Sequence, residues 1–272
     1  MTRRFPPERK TAATRRPRRS RRAPSKGGET VPLYGLHAVA AALANPLRRP
    51  LCLHATHRAL ALLAQRVEIP AGLPVDPVKG EALRALAPPG AVTQGLLLEA
   101  APLAPRGLEE AAPVPGARSF IVVLDQVTDP MNVGAILRSA AAFGAGALVT
   151  QDRHSPPESG ALARAASGAL DLVPWIRVSN LARALDRLAD LGYWRIGLAA
   201  GDHPALARRV TDDGAIALVL GAEGRGLRPL TEAHCDELAA IPITPAHPLI
   251  DSLNVSNAAA IALYELTRRG GP

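Results

Sequence analysis

Cysteine is almost missing from this chain: Cys52 and Cys235 are the only two in 272 residues. Two thiols make no disulfide framework, which excludes a small secreted scaffold held by bridges and suits a reducing, cytoplasmic setting. Aromatic residues are also scarce, at 3%, so the core has to be built from Leu, Val, Ile and Ala. No apolar run approaches the roughly 20 residues that a membrane-crossing helix needs, so no membrane partner is expected. Net positive charge is missing too, once the first thirty residues are set aside. Residues 1–30 hold eleven Lys or Arg against Glu8 and Glu29, a net of +9, while the whole chain carries +8.

That basic segment is rich in Pro, Arg, Ser and Gly and has little to bury, so residues 1–30 are expected to be a disordered tail. A block of this kind suits an arm that contacts nucleic-acid phosphates. A solubilising leader is the plainer alternative. Arg3-Arg4 is followed by no apolar stretch, and the arginines do not alternate with an apolar face, which argues against export or organelle signals.

Structure is expected from Val31. The stretch Leu33–Leu43 reads as an alanine-rich helix stopped by Asn45-Pro46. Leu51–Ala55 and Gly95–Glu99 read as strands, Val75–Val78 as a weak one, and Ala59–Arg66 and Glu81–Leu86 as helices. Residues 31–101 thus form a small α/β unit. The proline-rich stretch 102–118 reads as a linker. In residues 119–272, strands are expected at Phe120–Leu124, Ala147–Thr150, Trp175–Val178, Trp194–Ala199, Ala215–Leu220 and Leu238–Ile243. Helical patterns at Val133–Phe143, Gly160–Ala169, Asn180–Leu191 and Leu253–Arg269 lie between or after them. Strands alternating with helices imply an α/β fold with a parallel sheet covered on both faces, in the doubly wound manner.

Three stretches of this second unit carry polar residues that packing alone does not require. The first is DQVTDPMNVGAILRSAAA, Asp125–Ala142, a strand–turn–helix unit. Asn132 is the expected N-cap, and Arg138 is placed on a similar side of the helix. The second is LVLGAEGRGLR, Leu218–Arg228, where Gly221, Gly224 and Gly226 flank Glu223. Glycines after a strand let backbone approach a ligand. A plain glycine turn is the alternative, and the spacing is a poor dinucleotide fingerprint. The third is IPITPAHPLIDSLNVSN, Ile241–Asn257. Ser252, Asn254, Ser256 and Asn257 crowd the entry to the last helix, and capping would explain only one or two of them.

These three stretches, in this order, resemble the three motifs of the SpoU (TrmH) branch of the SPOUT methyltransferases, over roughly residues 119–269. In the front unit, L-Y-G-L-H-A-V and T-Q-G-L-L-L resemble the family's substrate-binding domain, which is similar to ribosomal protein L30e. The resemblance implies an S-adenosyl-L-methionine-dependent RNA ribose 2′-O-methyltransferase, with a guanosine of large-subunit rRNA as the expected target. A tRNA 2′-O-methyltransferase, or a non-catalytic RNA-binding ribosome-assembly factor, is the alternative. It also implies a C-terminal trefoil knot, a rare exception to unknotted chains, and a homodimer whose site is completed across the interface.

By motif position, Gly221, Ile241 and Leu253 are expected to hold the cofactor through backbone, with Ile243, Glu223, Gly224 and Gly226 beside them. Leu198, Ala199, Ala200 and Gly201 are expected to flank it. Asn132, Arg138, Glu223, Ser252 and Asn254 are the expected catalytic set. Arginine is too basic to be a comfortable proton acceptor, so Arg138 is read as orienting the hydroxyl and the adjacent phosphate. A sulfonium needs no metal to make its methyl group electrophilic, so none is expected. Cys52-x-His54-x-x-His57 has ligand-like spacing but offers only three ligands. Asn254-Val255-Ser256 matches a glycosylation sequon without a secretory signal to give it meaning. The last helix is expected to present Val255, Ala258, Ala259, Ala262, Leu263 and Leu266 to a second copy.

Overall fold

The computed structural model describes residues 30–208, 214–244 and 252–268. The basic tail, apart from Thr30, lies outside them, as do residues 245–251 of the third motif. Two sheets organise the described chain. The first contains β1 (Val31–Tyr34), β2 (Pro50–Ala55), β3 (Val75–Pro77) and β4 (Leu96–Ala100), in the order β1-β4-β2-β3. Helices α1 (Leu36–Ala44), α2 (His57–Ala64) and α3 (Gly80–Leu86) accompany it.

β1 corrects the sequence reading, which began a helix at Leu33. Val31–Tyr34 instead pairs antiparallel with β4 along the sheet edge, where Pro32 removes no needed donor. Gly35 then turns the chain at φ +90°, a conformation side chains resist. The first helical amide, on Leu36, donates to Gln94 Oε1 at 3.0 Å. The T-Q-G stretch therefore serves in part as a cap supplied from a distant loop.

The second sheet is parallel throughout, in the order β10-β8-β9-β5-β6-β7. Its strands are β5 (Ser119–Asp125), β6 (Leu148–Gln151), β7 (Trp175–Val178), β8 (Tyr193–Leu198), β9 (Ala215–Gly221) and β10 (Glu237–Ala239). Helices α4 (Pro130–Phe143), α5 (Gly160–Ala165), α6 (Leu181–Asp190), α7 (Pro229–Ala233) and α8 (Val255–Arg268) complete the unit. Alternate residues of β5 point to opposite faces, as a strand requires. Val122 and Leu124 pack with α4, α5 and α8, while Ile121 and Val123 pack with α6. Both faces are covered, so β5 reads as a continuous apolar run rather than an alternating one.

Of the element boundaries that differ from expectation, three have a local cause. α4 starts at Pro130, because Asp129 and not Asn132 is its cap: Asp129 Oδ1 accepts from Met131 N at 2.9 Å. α5 ends at Ala165, since Ser167 and Gly168 both take positive φ, and a short 3₁₀ turn at Ala169–Asp171 follows. β10 stops at Ala239, and Pro242 has no N–H with which to continue the pairing.

The two sheets are joined by a buried polar seam. Arg48 is fully enclosed; its Nε donates to Asp171 Oδ1 at 2.8 Å, and its NH1 to Glu158 and to the Ala101 carbonyl. Asn45 Nδ2 also donates to Asp171 Oδ1, at 3.0 Å. Glu158 in turn accepts from the Leu103 amide. One apolar core runs past this seam, from Val31 and Leu33 to Leu263 and Leu266. The proline-rich segment is tied down as well: a 3₁₀ turn at Leu108–Ala111 offers the Ala111 carbonyl to Tyr193 Oη at 2.7 Å.

Candidate active site

A cavity of about 890 Å³ opens beyond the C-terminal ends of β8, β9 and β10, within the size range of small-molecule sites. Open parallel sheets bind ligands at this end of their strands. Three loops and the start of α8 wall it. Leu198, Ala199, Ala200 and Gly201 come from the loop after β8. Gly221, Glu223, Gly224 and Gly226 come from the loop after β9, and Ile241 and Ile243 from the chain after β10. Ser252, Leu253 and Asn254 precede α8. Asp202, His203, Pro242 and Ala258 also line the wall, and the sequence reading had not singled them out for it. Their one available signal was adjacency to the motif residues.

Close packing shapes the loop after β9. A Cβ on Gly221 would lie 2.1 Å from the Gly226 carbonyl carbon, so only glycine fits there. Gly226 N donates back to the Ala222 carbonyl at 2.9 Å, which folds the loop into a knuckle. This is the plain-turn reading in part: Gly221 serves the backbone's own approach, and its neighbours also face the cavity.

At the rim, residues distant in sequence meet. Asn132 Nδ2 donates to Glu223 Oε1 at 3.0 Å, and Asn254 Nδ2 donates both to Asn132 Oδ1 at 3.1 Å and to Glu223 Oε1. Because Asp129 caps α4, the Asn132 carboxamide is free to reach across. Asn254 divides its carboxamide. Its Oδ1 caps α8, accepting from Ser256 N at 2.9 Å and Ser256 Oγ at 2.6 Å, while its Nδ2 serves Glu223. The capping expected for this stretch and the polar cluster are thus two ends of one side chain. A carboxylate that gathers two amide groups fixes their orientation, which prepares them to hold a polar ligand.

Arg138 is not brought into this cluster. It is exposed on α4, outside the cavity wall, and among the described residues it makes no hydrogen bond or ion pair. Six helical residues turn about 600°, which leaves Asn132 and Arg138 roughly 120° apart and not on one side.

The apolar face expected of α8 is also used differently. Val255, Ala259, Ala262, Leu263 and Leu266 are buried in this chain's own core, and Ala258 lines the cavity. The large apolar residues that α8 leaves exposed are Ile261 and Tyr264. Among the described residues, no group of His, Cys, Asp and Glu is placed to hold a metal. His54 faces Asp76, with Nδ1 at 3.0 Å from Oδ2.

Comparison with known proteins places this geometry. The model of the SpoU rRNA Methylase family matches residues 119–264. The 23S rRNA (guanosine-2′-O-)-methyltransferase RlmB of Yersinia pestis is 44% identical over 153 residues, which are 56% of this chain and 60% of that protein. Its counterpart in Escherichia coli K12 is 44% identical over 151 residues, again 60% of that protein. The chain therefore spans under two thirds of the length of these curated relatives. A solved TrmH-family protein from Porphyromonas gingivalis superposes with a TM-score of 0.69 at 27% identity, over 88% of this chain and 90% of that one. The SpoU methyltransferase AviRb from Streptomyces viridochromogenes, in complex with AdoMet, gives 0.72 at 22% identity over 88% and 90%, a likeness of fold.

Proposed function

Since the chain belongs to the SpoU rRNA methylase family, we propose that it transfers a methyl group from S-adenosylmethionine to a ribose 2′-hydroxyl of RNA. The target we infer is a guanosine of large-subunit rRNA, the activity named for relatives 44% identical. The observation that carries the reading is the Asn132–Glu223–Asn254 cluster at the rim of the cavity.

The cavity suits this donor. Among its described lining residues are the carboxylates Asp202 and Glu223 and no Lys or Arg. Such a wall complements a cationic centre and opposes a polyphosphate. When bound, S-adenosylmethionine supplies a methyl group on a sulfonium, already electrophilic. The backbone of Gly221, Ile241 and Leu253 holds it, with Leu198–Gly201 along its flank. Asn132 and Asn254, fixed by Glu223, hold the ribose, and Ser252 lines the nucleotide pocket. The hydroxyl proton passes to water as the new bond forms, while Arg138 orients the hydroxyl and the neighbouring phosphate.

Arg138 lies away from this cavity's wall, so the reading calls for a homodimer in which it serves the other copy. Exposed apolar surface on α4 (Met131) and α8 (Ile261, Tyr264) supports such a pairing. In the same reading, residues 31–101 are an L30e-like RNA-binding unit and 102–118 a linker. Residues 119–272 are the methyltransferase unit and 1–30 a basic arm, in a protein of the cytoplasm. In the same reading, the chain around that cavity forms the trefoil knot that the family resemblance implies. The test is ribose-methylation mapping of rRNA and tRNA from cells lacking the protein. One unmethylated guanosine in large-subunit rRNA, restored by the purified protein with S-adenosylmethionine, is expected. Unchanged rRNA with a loss confined to tRNA would overturn the rRNA assignment.

A further inference from the structure

Asp125 is the last residue of β5, and its side chain is wholly buried. It holds both ends of the loop that follows β9. At the near end, its backbone is in register with Gly221. At the far end, its carboxylate takes two hydrogen bonds and an ion-pair contact from Arg228. The Arg228 amide lies 3.1 Å from Oδ2, and its Nε and NH2 lie 2.7 and 2.6 Å from Oδ1. NH2 also donates to Gln151 Oε1 at 3.1 Å, at the end of β6. A side chain 103 positions away in sequence is therefore held by the planar fork of a guanidinium that reaches Asp125 and Gln151 at once, which the point charge of lysine does not do.

Between these two anchors lie Ala222, Glu223, Gly224, Arg225, Gly226 and Leu227. This short stretch supplies a wall of the cavity and the carboxylate that gathers Asn132 and Asn254. Neither Asp125 nor Arg228 lines the cavity. We propose that Asp125 and Arg228 are positioning residues for the methyl-donor site, holding the loop closed so that Glu223 stays at the rim. This rests on the function proposed above. An ion pair that only tied strands together would serve stability alone; one that fixes the far end of this loop to β5 and β6 also acts on what the loop touches.

The variants Asp125→Asn, Arg228→Gln and the double Asp125→Asn/Arg228→Gln separate the two cases. For each single variant, kcat/KM should fall about a hundredfold, as for a small misplacement of a site. The fall should show in KM for S-adenosylmethionine, whose wall the loop supplies, and in kcat, because Glu223 also fixes the Asn132 and Asn254 carboxamides at the ribose. The double variant replaces the ion pair by a neutral amide pair and should recover part of the loss. Arg228→Lys keeps the charge without the fork; it should fall between wild type and Arg228→Gln, and it serves if the others fail to fold. Amide exchange at Ala222–Gly226, measured on ligand-free protein, should quicken in every variant while β5 and β9 stay protected. This readout needs no donor and survives if the proposed activity proves wrong. Lowered melting temperature with unchanged donor KM and unchanged loop exchange would overturn the proposal.

Discussion

Replacing Arg48 with methionine asks what the seam between the two sheets contributes. The guanidinium has no exposed side-chain surface, and its partners Asp171 and Glu158 are 2% and 11% exposed. Burial pulls its pKa down, but hydrogen bonds and charge from Asp171 and Glu158 outweigh this and hold it above the usual arginine value. Arg48 is therefore charged at any working pH. Methionine keeps most of the volume and leaves two buried carboxylates without their cation. Breaking a buried pair from one side costs about 3–5 kcal/mol. Among the described residues, one terminal nitrogen, NH2, has no hydrogen-bond partner, which weakens what the intact arginine returns. At about 2–4 °C per kcal/mol for chains of this order, melting should fall by roughly 6–20 °C. Calorimetry reads this directly. Replacing Arg48, Asp171 and Glu158 together by Met, Asn and Gln should recover part of the loss, since the two carboxamides leave no buried charge without its partner. Melting of Arg48→Met within about 2 °C of wild type would refute the reasoning.

Two further outcomes are expected. Arg138→Ala should lower kcat by about 100- to 1,000-fold, as for loss of one transition-state donor, with donor affinity unchanged by calorimetry; Arg138→Lys should be nearly as damaging, because the planar fork is lost. Burial pushes the Tyr193 phenol up to about 12. Its neutral form is the one the fold favours, so that stabilisation is complete below the unfolded pKa of about 10 and fades as pH rises toward 12. Tyr193→Phe should cost about 1–2 kcal/mol at pH 7 by orphaning the Ala111 carbonyl, and should flatten the alkaline loss seen by denaturant titration.

The strands of the second unit were legible because a buried parallel strand writes itself as an apolar run, as Phe120–Leu124 does. β1 was not, since its four residues hold a proline and take their pattern from β4, some 65 positions on. Around the site, the loop glycines and Glu223 announced themselves by clustering after a strand. Asn132 was picked out for a role that Asp129 performs, because capping preference is shared by both residue types. Arg228 and Asp125 fall inside two of the polar stretches, but their pairing was silent, as was that of Arg48. Each owes its place to a partner more than a hundred positions away, and one sequence holds no trace of such pairings.

The composition of the cavity wall bears on turnover. The proposed donor enters with a sulfonium charge and leaves as a neutral thioether. Among the described lining residues only carboxylates carry formal charge. The attraction that draws the donor in is therefore discharged by the reaction itself. This wall would hold the spent donor less strongly than the charged one, so exchange for fresh donor would be favoured electrostatically. Rising salt should erode this preference between the two forms, since the wall is open to solvent at Asp202 and Glu223.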